Sequence, residues 1–338
     1  MKTLKIYLLL SLLLVTSFFA CKKNDDEPTL PPTRISRLYV SFSDLQADDL
    51  ATPYNNIAVF DPADSLSLNE PIYFNSQVRE GAGIYFNPYA KRVFQGSVRD
   101  FVIRTFSVSL TGVLGPASSF TDSTLVSQPD LAYDATSTNL YVSNSLTNSI
   151  HVYTNGGQRS GVLKYGPNKR FELGSQPRGL VLDNDSIMVV LRSSDVNEIA
   201  LIENPSTLDS GLVSNLKKIT ISGASDLRGI AYSQKLNMIA LSDVTTSTIY
   251  IIENVREAFT QNQIITPTQT IGGAMTRIKS PIDVAIDDRD EKGFLYVADR
   301  AEGNKAVLRF KLSDRGNVAP EAFYNLTLTP ASIYLDAR

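Results

Sequence analysis

The sequence predicts an all-β fold: a six-bladed β-propeller closed by its C-terminal strand pairing into the N-terminal blade. A recurring strand phrase is the first observation. Its clearest copies are Pro177-Arg178-Gly179-Leu180-Val181-Leu182-Asp183, Pro281-Ile282-Asp283-Val284-Ala285-Ile286-Asp287 and Thr329-Pro330-Ala331-Ser332-Ile333-Tyr334-Leu335-Asp336. Looser copies surround Ile84, Leu131 and Ile230. Spacing is the second observation. The first apolar residues, Ile84, Leu131, Leu180, Ile230, Val284 and Ile333, are separated by 47, 49, 50, 54 and 49 positions. A steady period of this length in strand-like units is the signature of a propeller, one blade per repeat. The third observation is the place of the last copy. It ends two residues before the C-terminus with no strand after it, so its partners must lie at the other end of the chain.

In chain order, Met1-Lys2-Thr3-Leu4-Lys5 precedes an apolar run from Ile6 to Ala20, broken only by Ser11, Thr16 and Ser17. A short basic region before an apolar stretch too short to span a bilayer comfortably predicts a secretory signal over residues 1–20. The only cysteine, Cys21, follows Ala20, an arrangement that resembles the lipobox of bacterial lipoproteins. Phe18 and Phe19 stand where that motif usually has Leu and a small residue. The resemblance implies that Cys21 is lipidated, and several acyl chains suffice for stable membrane anchoring. Residues 21–34 contain Lys22-Lys23-Asn24-Asp25-Asp26-Glu27 and then Pro28, Pro31 and Pro32. Such a segment buries too little apolar area to fold and predicts a tether. Lys followed by an acidic cluster also resembles the export signal of surface lipoproteins in some Gram-negative bacteria. It implies an outer-membrane lipoprotein displayed at the cell surface.

Residues 35–338 form the predicted propeller. No cysteine follows Cys21, so no disulfide is expected within it. A formal net charge of −3 without a basic stripe argues against a nucleic-acid partner. Blade one opens with Leu38–Phe42, then a polar insertion, Asp44 to Tyr54, then Asn55–Asp61. Blade two holds Gly83–Phe86, Arg92–Gly96 and Phe101–Val108. Blade three holds Leu131–Asp134, Asn139–Asn144 and Ser149–Tyr153. Blade four follows with Leu180–Asp183, Ser186–Leu191 and Glu198–Ile202. Blade five contains Ile230–Tyr232, Met238–Leu241 and Thr248–Ile252, and blade six Val284–Asp287, Phe294–Ala298 and Ala306–Phe310. β-Branched and aromatic residues dominate these units, and turn residues such as Asp183-Asn184-Asp185 separate them. Candidate fourth strands are Leu163–Tyr165, Lys217–Ile221 and Gln269–Ile271. Only Pro205 to Leu216 and Asn254 to Gln261 could hold a helical turn, and both read as loop excursions between outer strands.

Leu140-Tyr141-Val142-Ser143-Asn144 followed by Asn148-Ser149-Ile150-His151-Val152-Tyr153 resembles the YVTN repeat. Leu295-Tyr296-Val297-Ala298-Asp299 resembles the core of the NHL repeat, and Pro177 to Asp183 its preceding strand. The resemblance covers about residues 35–338. It implies the propeller fold but no particular chemistry, since such repeats serve enzymes and recognition modules alike.

In propellers of this type the inner strand starts at the mouth of the central channel. The residues just before the six anchors are Gly83, Asp130, Gly179, Gly229, Asp283 and Ser332, small enough for a narrow channel. Arg178 and Arg228 precede two of these glycines on neighbouring blades, and Glu80 precedes Ala82. Glu80, Asp130, Arg178, Arg228 and Asp283 are therefore the candidate ligand-binding residues, with the arginines clamping an anionic group. The alternative is that the arginines pair with Asp130, Asp226 or backbone carbonyls and merely fill the entrance.

Catalytic candidates are sparse. His151, the only histidine, alternates with Ile150 and Val152 and is expected on a strand surface; no Gly-x-Ser-x-Gly elbow is present. Gly156-Gly157 and Gly272-Gly273 sit outside any phosphate-loop context. No cofactor is expected. A resemblance to six-bladed gluconolactonase-like enzymes would imply a divalent cation in the channel, with Glu80, Asp130 and Asp283 as oxygen ligands suited to Ca²⁺. The loops between second and third strands bring Ser97, Arg99 and Asp100, Asn144 and Asn148, Ser193 to Asp195, Asp243, and Asp299, Arg300 and Glu302 to the top face. This broad polar surface suits a protein or glycan partner, although the chain has no Trp for stacking on sugars. The expected role is a lipid-anchored binding or scaffolding module for a protein or extracellular polymer. A channel-site hydrolase or lactonase is the alternative.

Overall fold

The computed structural model describes residues 34–44, 55–127, 130–193, 197–260, 264–289 and 293–338. The predicted signal, Cys21, nearly all of the tether, most of the Asp44 to Tyr54 insertion, Ser194 and Asp195 lie outside them. Residues 35–338 form one compact unit.

Six antiparallel sheets follow one another along the chain, each with its inner strand first in sequence except in blade one. The inner strands are Gly81–Asn87, Leu131–Tyr133, Gln176–Leu182, Leu227–Ser233 and Pro281–Asp287 for blades two to six. Blade one takes Pro330–Ala337 from the C-terminus, paired antiparallel with Ser36–Phe42 from Ser36↔Ala337 to Phe42↔Pro330. Reciprocal bonds between Ile35 and Arg338 at 2.8 and 3.0 Å extend this clasp. The six predicted anchors are all buried, and together they line one apolar chamber of the channel. Their period in the sequence thus records one wall position repeated around a ring.

The second strands explain why these sequences read as strands of unbroken apolar character. Asn139–Asn144 and Met238–Asp243 are buried at every position, because a blade lies against each face. Side chains alternate between the two neighbours. Leu140 and Val142 pack with Phe94 and Phe120 of blade two, while Tyr141 packs with Leu180 and Val189 of blade four. Among the described residues the core is six such clusters, one at each seam between blades. Burial at the closing seam joins Leu38, Val40 and Phe42 to Tyr296, Val307 and Ile333.

Blades three to six also each shield the edge of the blade before them. The loop between third and fourth strands in blade three places Gly161–Val162 parallel to the outer strand of blade two. Gly211–Leu212 and Ile264–Ile265 do the same for blades three and four, and an isolated bridge from Gly316 to Ile271 does so for blade five. Covering an exposed edge removes a template for aggregation. One expectation is corrected by this device. The fourth strand of blade three is Lys169–Glu172, paired with Ser149–Val152, whereas Leu163–Tyr165 belongs to the edge-covering loop. Pro205 to Leu216 holds no helix; its apolar Leu212 serves the edge of blade three. Only Val255–Ala258 of the second segment forms a helical turn.

Ring closure is testable by truncation. A chain ending at Leu328 loses the inner strand of blade one, including Ile333, whose burial is worth on the order of 1.5–3 kcal/mol. It also uncovers the ladder edge of Ser36–Phe42. Insoluble protein or a large fall in melting temperature is expected, and a melt matching the full chain would contradict closure by this strand.

Candidate functional site

The channel mouth is a cavity of about 650 Å³ walled by all six blades. All five sequence candidates, Glu80, Asp130, Arg178, Arg228 and Asp283, reach it. At its floor lie Asp130, Gly179, Gly229 and Asp283, four of the six residues before the anchors, and glycine recurs among the six because neighbouring inner strands almost touch there. A Cβ on Gly83 would sit 2.6 Å from the Cα of Asp130, and one on Gly229 would sit 2.2 Å from Asp283 Oδ1. Asp130 and Asp283 stand on opposite blades and border both the mouth and the apolar chamber of about 180 Å³ below it. They are the neck of the channel.

Both carboxylates also join blades. Asp130 Oδ2 accepts the amide of Leu180 in blade four at 2.9 Å, and Oδ1 accepts that of Leu131 at 2.8 Å. Asp283 Oδ2 accepts the amide of Ile333 at 2.9 Å and the hydroxyl of Ser332 at 2.8 Å, both in blade one, and Oδ1 takes Val284 N at 2.9 Å. Burial pushes the Asp283 carboxyl up to about 6 against the pull of these donors. Asp130 is raised well above the ordinary range, first by burial and then by the charge of Asp283 across the neck.

Cations gather on the wall formed by blades four to six. Arg178 is 5% exposed, its Nη1 lies 3.4 Å from Asp226 Oδ1, and that nitrogen makes no hydrogen bond. Arg228 is more open and sends Nε and Nη2 to Asp226 Oδ2 at 3.1 and 2.7 Å. One carboxylate thus serves two guanidinium groups. Burial, reinforced by Arg228, lowers Arg178 to about 10, with Asp226 opposing. Arg300 of blade six adds a third guanidinium to the same wall. It follows Asp299 at the end of a second strand, the position that carries Asn144 and Asp243 in other blades, so its repeat position was a signal of its place in the ring. Glu80 is tied to Arg99 at 3.0 Å, and Asp44 receives Thr329 Oγ1 at 3.1 Å with Lys305 at 3.7 Å.

A metal does not fit this arrangement. Among the described residues no three His, Cys, Asp or Glu side chains are grouped to hold one. Glu80, Asp130 and Asp283 therefore do not act together as the ligand set that the lactonase resemblance implies.

Part of the polar top face serves the fold rather than display. Asp243 is buried and accepts the amides of Ser225, Asp226, Thr245 and Thr246. Asp299 takes those of Lys279, Ser280 and Ala301, and Asn144 donates to Thr124 O at 2.7 Å. At the close of these second strands Asp243 and Asp299 accept loop amides that no strand can satisfy, while Asn144 supplies a donor to a loop carbonyl. His151 also departs from its expected place. It is fully buried beneath blade three, with Nε2 3.3 Å from Asn144 Nδ2 and Nδ1 3.4 Å from the hydroxyl of Tyr153. That hydroxyl donates to Asp122 Oδ2 at 2.7 Å.

Two outcomes follow. Burial lowers His151 from its ordinary 6.5 to about 4, with Asp122 opposing and Arg170 adding. The unfolded chain then binds the extra proton between those values, so His151 costs stability as pH falls from 6.5 towards 4. The raised carboxyl of Asp283 has the opposite sign, its contribution being lost as pH rises through about 6. A His151→Gln variant should therefore lose less stability than the parent on going from pH 8 to pH 5, by on the order of 1–2 kcal/mol. Parallel stability curves from chemical denaturation would contradict the buried neutral imidazole. At the neck, Gly229→Ala forces its Cβ against Asp283 and should destabilise by about 1–3 kcal/mol, read as a drop in melting temperature.

No protein-family model matches this chain, and no curated protein matches it either. Solved structures do resemble it. A structure of a nidogen/laminin complex aligns with a TM-score of 0.63 at 14% identity, over 89% of this chain and 98% of that one. A provisionally named 6-phosphogluconolactonase from Bacteroides fragilis aligns with a TM-score of 0.54 at 14% identity, over 92% of this chain and 84% of that one. Another, from Bacteroides uniformis, gives 0.56 at 11% identity, over 88% and 84%. At such identities the likeness supports the propeller fold alone.

Proposed function

We propose that this protein is a lipid-anchored, surface-displayed binding or scaffolding module whose channel mouth grips an anionic group of a protein or extracellular polymer. The observation that carries this role is Arg178: a guanidinium 5% exposed, on the wall of a 650 Å³ cavity, with one nitrogen that makes no hydrogen bond. Arg228 and Arg300 share the wall, and Asp226 offsets only one of the three charges. A guanidinium fork can hold a carboxylate or phosphate through paired N–H donors, and a partly desolvated site strengthens that bond. The anchor rests on the Ala20–Cys21 junction, and display on the acidic cluster that follows.

Substituting the arginines together with their shared carboxylate separates binding from folding. Arg178→Gln, Arg228→Gln and Asp226→Asn together remove two cations and the carboxylate that compensates them, leaving no isolated buried charge. Capture of partners from surface extracts should fall at least tenfold while the melting temperature changes little. Unchanged capture would remove the mouth from the binding role. Turnover of gluconolactone or its 6-phosphate by the purified protein, suggested by the names of two structural neighbours, would replace binding with lactone hydrolysis. For the anchor, Cys21→Ser should abolish acyl labelling and release the protein from the membrane fraction; continued labelling would contradict lipidation at this residue.

A further inference from the structure

The mouth carries apolar side chains as well as charges, Ile282 beside the guanidinium groups and Val98 and Leu146 on the blades facing them. Its three guanidinium groups occupy blades four, five and six. In a six-membered ring blade two faces blade five and blade three faces blade six. Across from Arg228 therefore stands Val98 of blade two, and across from Arg300 stands Leu146 of blade three. Both apolar side chains line the cavity and are open to it, Val98 at 38% and Leu146 at 67% exposure. Ala82 adds to the same wall. Among the described residues no aromatic side chain lines the mouth, so these residues offer a sugar ring no stacking platform.

We infer that the mouth selects a carboxylate bearing an apolar substituent, the anionic end on Arg178, Arg228 and Arg300 and the apolar part on Val98 and Leu146. The inference rests on the anion-binding role proposed above and adds the identity of the other half of the ligand. Burying Leu146 and Val98 against such a group gains apolar contact at no polar cost. The other charged groups facing the cavity are already engaged. Glu80 is held by Arg99, Asp44 by Thr329 and Lys305, and Asp130 and Asp283 by backbone amides. They leave the guanidinium wall as the place where a ligand's charge is compensated.

Titration calorimetry on the full chain with 4-phenylbutyrate, acetate, gluconate and neutral 4-phenylbutanamide tests this. 4-Phenylbutyrate should bind at least tenfold more tightly than acetate or gluconate, and at least tenfold more tightly than the amide. Leu146→Ser, a change at an exposed position, should remove most of that advantage and leave acetate and gluconate unaffected. Gluconate binding as tightly as 4-phenylbutyrate, or an advantage that survives Leu146→Ser, would overturn the apolar half while leaving anion binding intact. If no anion binds in a manner that Arg228→Gln weakens at least tenfold, the anion-binding role itself fails.

Discussion

Every blade of this protein is a sheet with two apolar faces, and a sheet of that kind has no stable existence alone in water. Its second strands are buried along most or all of their length only because a neighbour covers each side. Each seam depends on the next, and the ring must close for the first and last blades to be covered at all. The pairing of Pro330–Ala337 with Ser36–Phe42 is where that requirement is met. Everything at the channel mouth, including the placing of Val98 and Leu146 across from guanidinium groups, inherits its geometry from this closure.

Closure also sets the chemistry of the neck. Six inner strands converge so closely that Gly83 and Gly229 have no room for a Cβ, yet converging strand ends leave amides in need of acceptors. Asp130 and Asp283 answer both demands, fitting the gaps and receiving the amides of Leu180 and Ile333 from adjacent blades. Two carboxylates are thereby held in a low-dielectric constriction, where burial and mutual repulsion favour protonation. The neck is thus a structural clasp that is also titratable, and it divides the mouth from the chamber below it.

The arginines answer a different demand. Buried charges need partners, and the pairing foreseen as the alternative to a ligand clamp does occur, through Asp226. It is incomplete, however, because the single carboxylate of Asp226 serves both Arg178 and Arg228. Partial pairing holds the guanidinium groups in place without satisfying them, and a site preorganised in that way loses little on receiving an anion.

The sequence by itself determined the six-fold repeat, the position of every inner strand, the C-terminal closure and the five residues now found around the mouth. Period and apolar character carry that information because each blade must repeat one wall position to build a ring. Tertiary structure decided what no local pattern encodes. His151 lies inside a seam because a neighbouring blade covers the strand face that alternation alone leaves ambiguous. Asp243, Asp299 and Asn144 became loop clasps, since only the folded chain shows which loop amides and carbonyls lack partners. Leu163–Tyr165 lost its strand role to Lys169–Glu172, because an apolar stretch can equally cover a neighbour's edge. Arg300 and Leu146 joined the site only when blades far apart in sequence were set opposite each other across the channel.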